Sequence, residues 1–155
     1  MLEIEAVGTI DYVHIFTKYQ GDYAKQHGIE AAYQLRLTIP KNGETHRLLV
    51  EEAKNLGVTP NSMNLRYTDS PNGWQINLSS RYPLTIVDRA GNPVESTEEP
   101  GNGTTANVAF RIGSTRDHSK LVYFLTGVQL VKVSENEFTP HVFRAFTDTE
   151  EEPEF

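Results

Sequence analysis

The sequence predicts a mainly β protein, a small antiparallel barrel of five or more strands, closed or partly closed, with one helix. Three observations carry this: apolar residues alternate with period two over most of the chain, Gly, Pro, Asn and Asp punctuate the alternating stretches, and only one stretch has helical spacing. A plain β-sandwich is the alternative arrangement.

From Tyr12 to Thr17, the series Tyr12, His14, Phe16 alternates with Val13, Ile15, Thr17, giving one face of rings and one more aliphatic face. Lys18 and Tyr19 extend the first face. From Tyr33 to Ile39, Tyr33, Leu35, Leu37 and Ile39 share a side against Gln34, Arg36 and Thr38, and Pro40 ends the strand by withholding an N–H. Between Glu44 and Leu56 the positions Leu48, Leu49, Ala53 and Leu56 have helical spacing, and Gly57 is a natural C-terminal stop. Met63 to Ser80 reads as a hairpin turned at Ser70-Pro71-Asn72-Gly73, with Trp74, Ile76 and Leu78 alternating with polar residues. Leu84 to Val87 is a short strand, and Val94 to Thr105 is expected to be a mobile loop. Strand returns at Asn107 to Ile112, with Val108, Phe110 and Ile112 inward and Asn107, Ala109 and Arg111 outward. The last strand runs from Lys120 to Val133, where Gly127 marks a bulge or barrel corner. Val142, Phe143 and Phe146 suggest one more docked segment.

At 155 residues the chain fits one domain. An N-terminus opening on acids and the absence of a long apolar run point to a cytoplasmic protein with no membrane span. Cysteine is absent, which excludes thiolate chemistry and disulfides. The net charge of −7 argues against a polyanionic ligand until its position is considered. Asp148, Glu150, Glu151, Glu152 and Glu154 fall in the last eight residues; without them 14 bases face 16 acids. The body, 1–146, is thus nearly neutral, and 147–155 is an acidic appendage ending in Phe155.

Catalysis finds little support. The five histidines (His14, His27, His46, His118, His141) are scattered without metal-motif spacing, so neither metal nor cofactor is expected. Asp117-His118-Ser119 has the residue types of a hydrolytic triad, but neighbours on a turn do not converge. Gly101 to Ala106 has the form G-x-G-x-x-A but precedes a strand, where a dinucleotide site needs a helix. What remains is aromatic rings beside cations on strand faces, the pattern a sequence-tolerant binder of single-stranded nucleic acid requires: flat rings for bases to stack on, cations for phosphates. The candidates are Tyr12, His14, Phe16, Lys18, Tyr33, Arg36, Trp74, Arg81, Arg111, Arg116 and Lys120. Against this stands the reading that the rings are core and the domain a non-catalytic protein-interaction or virion structural module. An acidic tail can compete electrostatically for a basic groove or offer its terminal ring to a partner.

Several stretches also resemble a family. Gly8-Thr9 followed by Tyr12, the run Tyr33-Gln34-Leu35-Arg36-Leu37-Thr38-Ile39-Pro40 leading into a helix, the Val87 to Asn92 turn, Gly127 to Val133, and the acidic tail are similar in order to the single-stranded-DNA-binding proteins of short-tailed phages of the T-seven type. The resemblance implies an OB-fold core with its helix after the second strand and a disordered acidic tail. It implies DNA held across the barrel face during replication, recombination and repair in the host cell cytoplasm. It further implies a tail that contacts the DNA polymerase or primase-helicase and competes with DNA, and a homodimer.

Overall fold

The computed structural model describes residues 1–69 and 72–134. Seven strands form one sheet: β1 (Leu2–Tyr19), β2 (Ala32–Pro40), β3 (Arg66–Asp69), β4 (Asn72–Ser80), β5 (Thr85–Val87), β6 (Thr104–Ser114) and β7 (Leu121–Lys132). Their order is β3-β4-β2-β1-β6-β7-β5, and an added pairing of β4 with β7 closes β1, β2, β4, β7 and β6 into a five-stranded barrel. The closing contact is parallel and rests on the single register pair Ser79 and Phe124. The expected barrel is therefore present, antiparallel everywhere except at this seam and where β5 runs parallel to β7.

Alternation explains what fills it. Leu35, Leu37 and Ile39 from β2, Ile76 and Leu78 from β4, Val108, Phe110 and Ile112 from β6, and Leu121, Tyr123 and Leu125 from β7 are buried together. Each such side chain contributes roughly 1.5–3 kcal/mol by leaving water. Gly127 does sit at an irregularity: Ala109 faces Gly127 but Phe110 faces Leu125, so Thr126 is the extra residue of a bulge.

The helix α2 (Glu44–Leu56) matches the expected bounds, and Gly57 ends it in the left-handed conformation at φ 75°. Leu49 and Ala53 face inward, and the helix packs against β2 and β6. A five-residue helix, α1 (Asp22–Gln26), joins β1 to β2 and has no buried side chain.

One expectation fails here. The first strand begins at Leu2, not Tyr12, because Ile4, Ala6 and Ile10 alternate inward well before the aromatic stretch. The segment from Val94 to Thr105, expected to be a loop, runs as a strap hydrogen-bonded to the barrel near both ends. The Val94 N–H donates to the Ile86 carbonyl, Gly101 to Ser134 and Gly103 to Ile10, and Pro100 is buried. Its polar composition serves fixed hydrogen bonds. Val142, Phe143, Phe146 and the tail residues Asp148, Glu150, Glu151, Glu152, Glu154 and Phe155 lie outside the described residues, as does His141.

Candidate nucleic-acid interface

The site begins with one extra residue in β1. Up to Ile10 the even-numbered side chains point inward; from Val13 the odd-numbered ones do. The switch falls at Asp11 and Tyr12, where the pairing with β2 slips and Tyr12 takes φ 52°. Without it, Tyr12 and His14 would follow Ile10 into the core. A tyrosine in this conformation carries strain of roughly 1–2 kcal/mol, and the strap holds it there. The Tyr12 N–H donates to Asn102 Oδ1 at 2.8 Å, and the Gly103 N–H donates to Asp11 Oδ1 at 2.9 Å.

The bulge delivers Tyr12 and His14 to the outer face. The His14 ring stacks on Tyr19 with centroids 4.2 Å apart and planes within 11°. Across on β2, the Arg36 guanidinium lies 5.1 Å from the Tyr12 ring centre, and its Nε–H donates to Asn77 Oδ1 of β4 at 3.1 Å. The strand register sets this up, since Asp11 pairs with Arg36 and Arg36 with Asn77.

Three clefts run end to end from here. The first, about 510 Å³, is walled by Tyr12, His14, Tyr19, Gln34, Arg36, Asn77 and Ser79. The second, about 640 Å³, shares Arg36, Asn77 and Ser79 and adds Asn64, Arg66, Gln75 and Phe124. The third, about 1040 Å³, shares Ser79 and Phe124 and reaches Arg81, Tyr82 and Arg111, but also Glu3 and Glu5. Among the described residues, no acid lines the first two clefts. Their floor of amides and hydroxyls offers donors and acceptors together, and rings stand at both ends. In the third, Arg111 Nε lies 3.6 Å from Glu3 Oε2, and outside its walls Arg81 Nε lies 3.8 Å from Glu30 Oε2.

The groove thus unites Tyr12, His14 and Arg36, with Arg81 and Arg111 at its far end. Other candidates fall elsewhere. Trp74 shares the inward phase of Ile76 and Leu78; it is half-buried against the core, its Nε1–H donates to the Lys41 carbonyl at 3.2 Å, and it stacks on His46 of α2. Tyr33 shares the phase of Leu35 and Leu37, and it lies 5.7 Å beneath the Lys18 ammonium, away from the clefts. Phe16 points outward but packs partly against the core. Arg116 and Lys120 are exposed on the turn joining β6 to β7. That turn is ordered by Asp117, whose carboxylate accepts from Ser119 Oγ–H at 2.6 Å and Thr115 Oγ1–H at 2.8 Å. Those bonds, Ser119 first, hold the Asp117 carboxyl down at about 2. His118 meets Ser114, not Asp117, so no triad forms. Among the described residues no three His, Asp or Glu side chains gather as a metal site.

Sequence reasoning left Phe124 and Arg66 out of the site. Phe124 was legible in principle: it alternates against buried Tyr123 and Leu125, and an outward phenylalanine 44% exposed calls for an explanation.

No protein-family model matches the chain, and no curated protein matches it. Solved structures do. The single-stranded DNA-binding protein of bacteriophage Enc34, solved in complex with single-stranded DNA, is 17% identical, with a TM-score of 0.66 over 88% of this chain and 89% of that one. A C-terminal truncation of the same protein gives 18% and 0.68 over 86% and 87%. The gp2.5 protein, a single-stranded DNA-binding protein encoded by bacteriophage T7, gives 17% and 0.59 over 90% and 98%. The fold is the OB-fold. In this OB-fold the barrel order β1-β2-β4-β7-β6 places β1, β2 and β4 side by side, and the first two clefts lie on that face.

Proposed function

We propose that the chain binds single-stranded DNA with little sequence preference and catalyses no reaction. The observation that carries this is the pair of clefts on the β1-β2-β4 face, which no acid lines among the described residues and where a strained bulge holds Tyr12 and His14 outward beside Arg36. Bases stack on Tyr12, His14, Tyr19 and Phe124, while Arg36 and Arg66 meet phosphates and Arg81 and Arg111 extend the track. The likeness in fold to phage proteins whose structures are named for single-stranded DNA binding supports the same reading. Amide side chains on the floor suit sequence tolerance, since Asn and Gln present a donor and an acceptor to any base edge.

The role is in phage DNA replication, recombination and repair, in the host cytoplasm, with the body at 1–146 and the acidic tail at 147–155. The tail competes with DNA for the groove and recruits a DNA polymerase or primase-helicase, and the protein pairs as a homodimer. Ser134 supports the competition: it is tied to Gly101 and Thr104, beside the bulge. Fourteen residues on lies Asp148, within roughly 50 Å of extended chain.

The test is titration of a fluorescent oligo-dT with the full chain and with a chain ending at Thr147, at two salt concentrations with duplex as control. Preferential single-strand binding that weakens with salt is expected, tighter in the shortened chain. No binding at low salt leaves the interaction-module reading in its place. Equal affinity of the two chains removes the competing tail.

A further inference from the structure

Glu99 occupies an unusual position. Its carboxylate accepts hydrogen bonds from three consecutive backbone N–H groups of β1: Ile15 at 2.7 Å, Phe16 at 3.0 Å and Thr17 at 3.0 Å. In a regular strand successive N–H groups point to opposite sides, so three converging on one acceptor form a concave anion nest. The ladders explain why these donors are available. Pairing with β6 stops at Ile10, and pairing with β2 skips from His14 to Tyr19. In the chain the nest lies between His14 and Tyr19, whose rings stack on each other in the first cleft, on a stretch of β1 without ladder partners.

We propose that this nest, which follows His14 of the first cleft directly along β1, is a phosphate-binding site that Glu99 fills when no strand is bound. The proposal rests on the DNA-binding reading for its ligand. A phosphate group presents oxygens of the same charge character and hydrogen-bonding capacity as the carboxylate it replaces. The exchange does not require the strap to detach. The strap is held independently by the Gly101 and Gly103 backbone N–H groups and by the Asn102 side chain, so the Glu99 side chain alone swings out to water. Glu99 thereby acts as a competitor within the folded body, separate from the acidic tail. It keeps the open edge of β1 satisfied and free of other strands until DNA arrives.

Two variants separate this from simple charge removal. Glu99→Ala empties the nest; Glu99→Gln removes the charge but leaves an amide oxygen to fill it. Oligo-dT affinity is expected to rise about threefold to tenfold at low salt for Glu99→Ala and less for Glu99→Gln. In nitrogen-resolved spectra of Glu99→Ala, inorganic phosphate should move the Ile15, Phe16 and Thr17 amide signals where sodium chloride at equal ionic strength does not. Identical behaviour of the two variants, or amides indifferent to phosphate, overturns the proposal. If Glu99→Ala does not fold, the wild-type chain decides. With oligo-dT bound and Tyr12 and His14 signals shifted, unmoved Ile15 to Thr17 amides reject the site. Failure of the wild-type chain to bind oligo-dT sinks the DNA reading instead, while the phosphate titration still tests the nest.

Discussion

Replacing Tyr12 by glycine separates folding from binding at one position. In the folded chain Tyr12 holds φ 52° and is 60% exposed. Glycine relieves left-handed strain of roughly 1–2 kcal/mol. It also gives up about 0.5–1 kcal/mol through the greater freedom of the unfolded chain, and the contact with Arg36 is worth about 0.5–1 kcal/mol at an exposed ring. These terms nearly cancel, so Tyr12→Gly should unfold in urea within about 1 kcal/mol of the parent. Binding should not be spared. A stacking ring contributes roughly 1–3 kcal/mol per base, so oligo-dT affinity should fall about 5-fold to 150-fold. Tyr12→Ala should lose the same affinity but be about 1 kcal/mol less stable than Tyr12→Gly, because alanine keeps the strain. Undiminished affinity in the glycine variant would refute the platform. Equal stability of the two variants would refute the strained bulge.

Other outcomes follow from the same geometry. Arg36→Lys keeps the charge but not the planar fork that reaches Asn77 and Tyr12, so its salt slope should be unchanged while affinity drops roughly fivefold; Arg36→Ala should lower the slope by about 0.7 as well, both read from titrations across salt. Trp74→Ala should cost about 2–3 kcal/mol in urea unfolding, somewhat below a fully buried tryptophan, and leave oligo-dT affinity unchanged. Thr38 Oγ1 is buried and has no hydrogen-bond partner among the described residues, so Thr38→Val should raise stability by up to about 1 kcal/mol in the same assay. Asp117 is depressed in the folded state to about 2; its contribution to the order of the β6–β7 turn is complete above the ordinary carboxylate value near 4 and is lost as pH falls toward 2. The Ser119 amide signal should follow that window.

The elements were legible where one period ran unbroken. Leu35, Leu37 and Ile39 announced β2 and placed Arg36 on the other side; Leu49, Ala53 and Gly57 announced α2 and its end. The site was harder because it depends on a break in period. Ala6 and Ile10 lie in one phase and Val13 and Ile15 in the other, a signal present in the sequence but meaningful only once both halves are known to be one strand. Trp74 was misplaced for the converse reason. Its alternation with Ile76 and Leu78 already marked it as inward, and tryptophan's general suitability for stacking says nothing of direction. The Glu99 nest could not be read from the sequence at all, because its donors and acceptor lie more than eighty residues apart and only the fold brings them together.

The barrel has one weak seam, and the groove crosses it. Ser79 and Phe124 are the register pair that joins β4 to β7, and the same two residues form the wall between the second and third clefts. A ligand laid along the groove therefore works as a suture. It spans the joint where the backbone contributes least and makes opening there dependent on release of the ligand. Occupancy should be written into the exchange rates of amides on either side, which slow together as the strand is held and quicken together when it leaves.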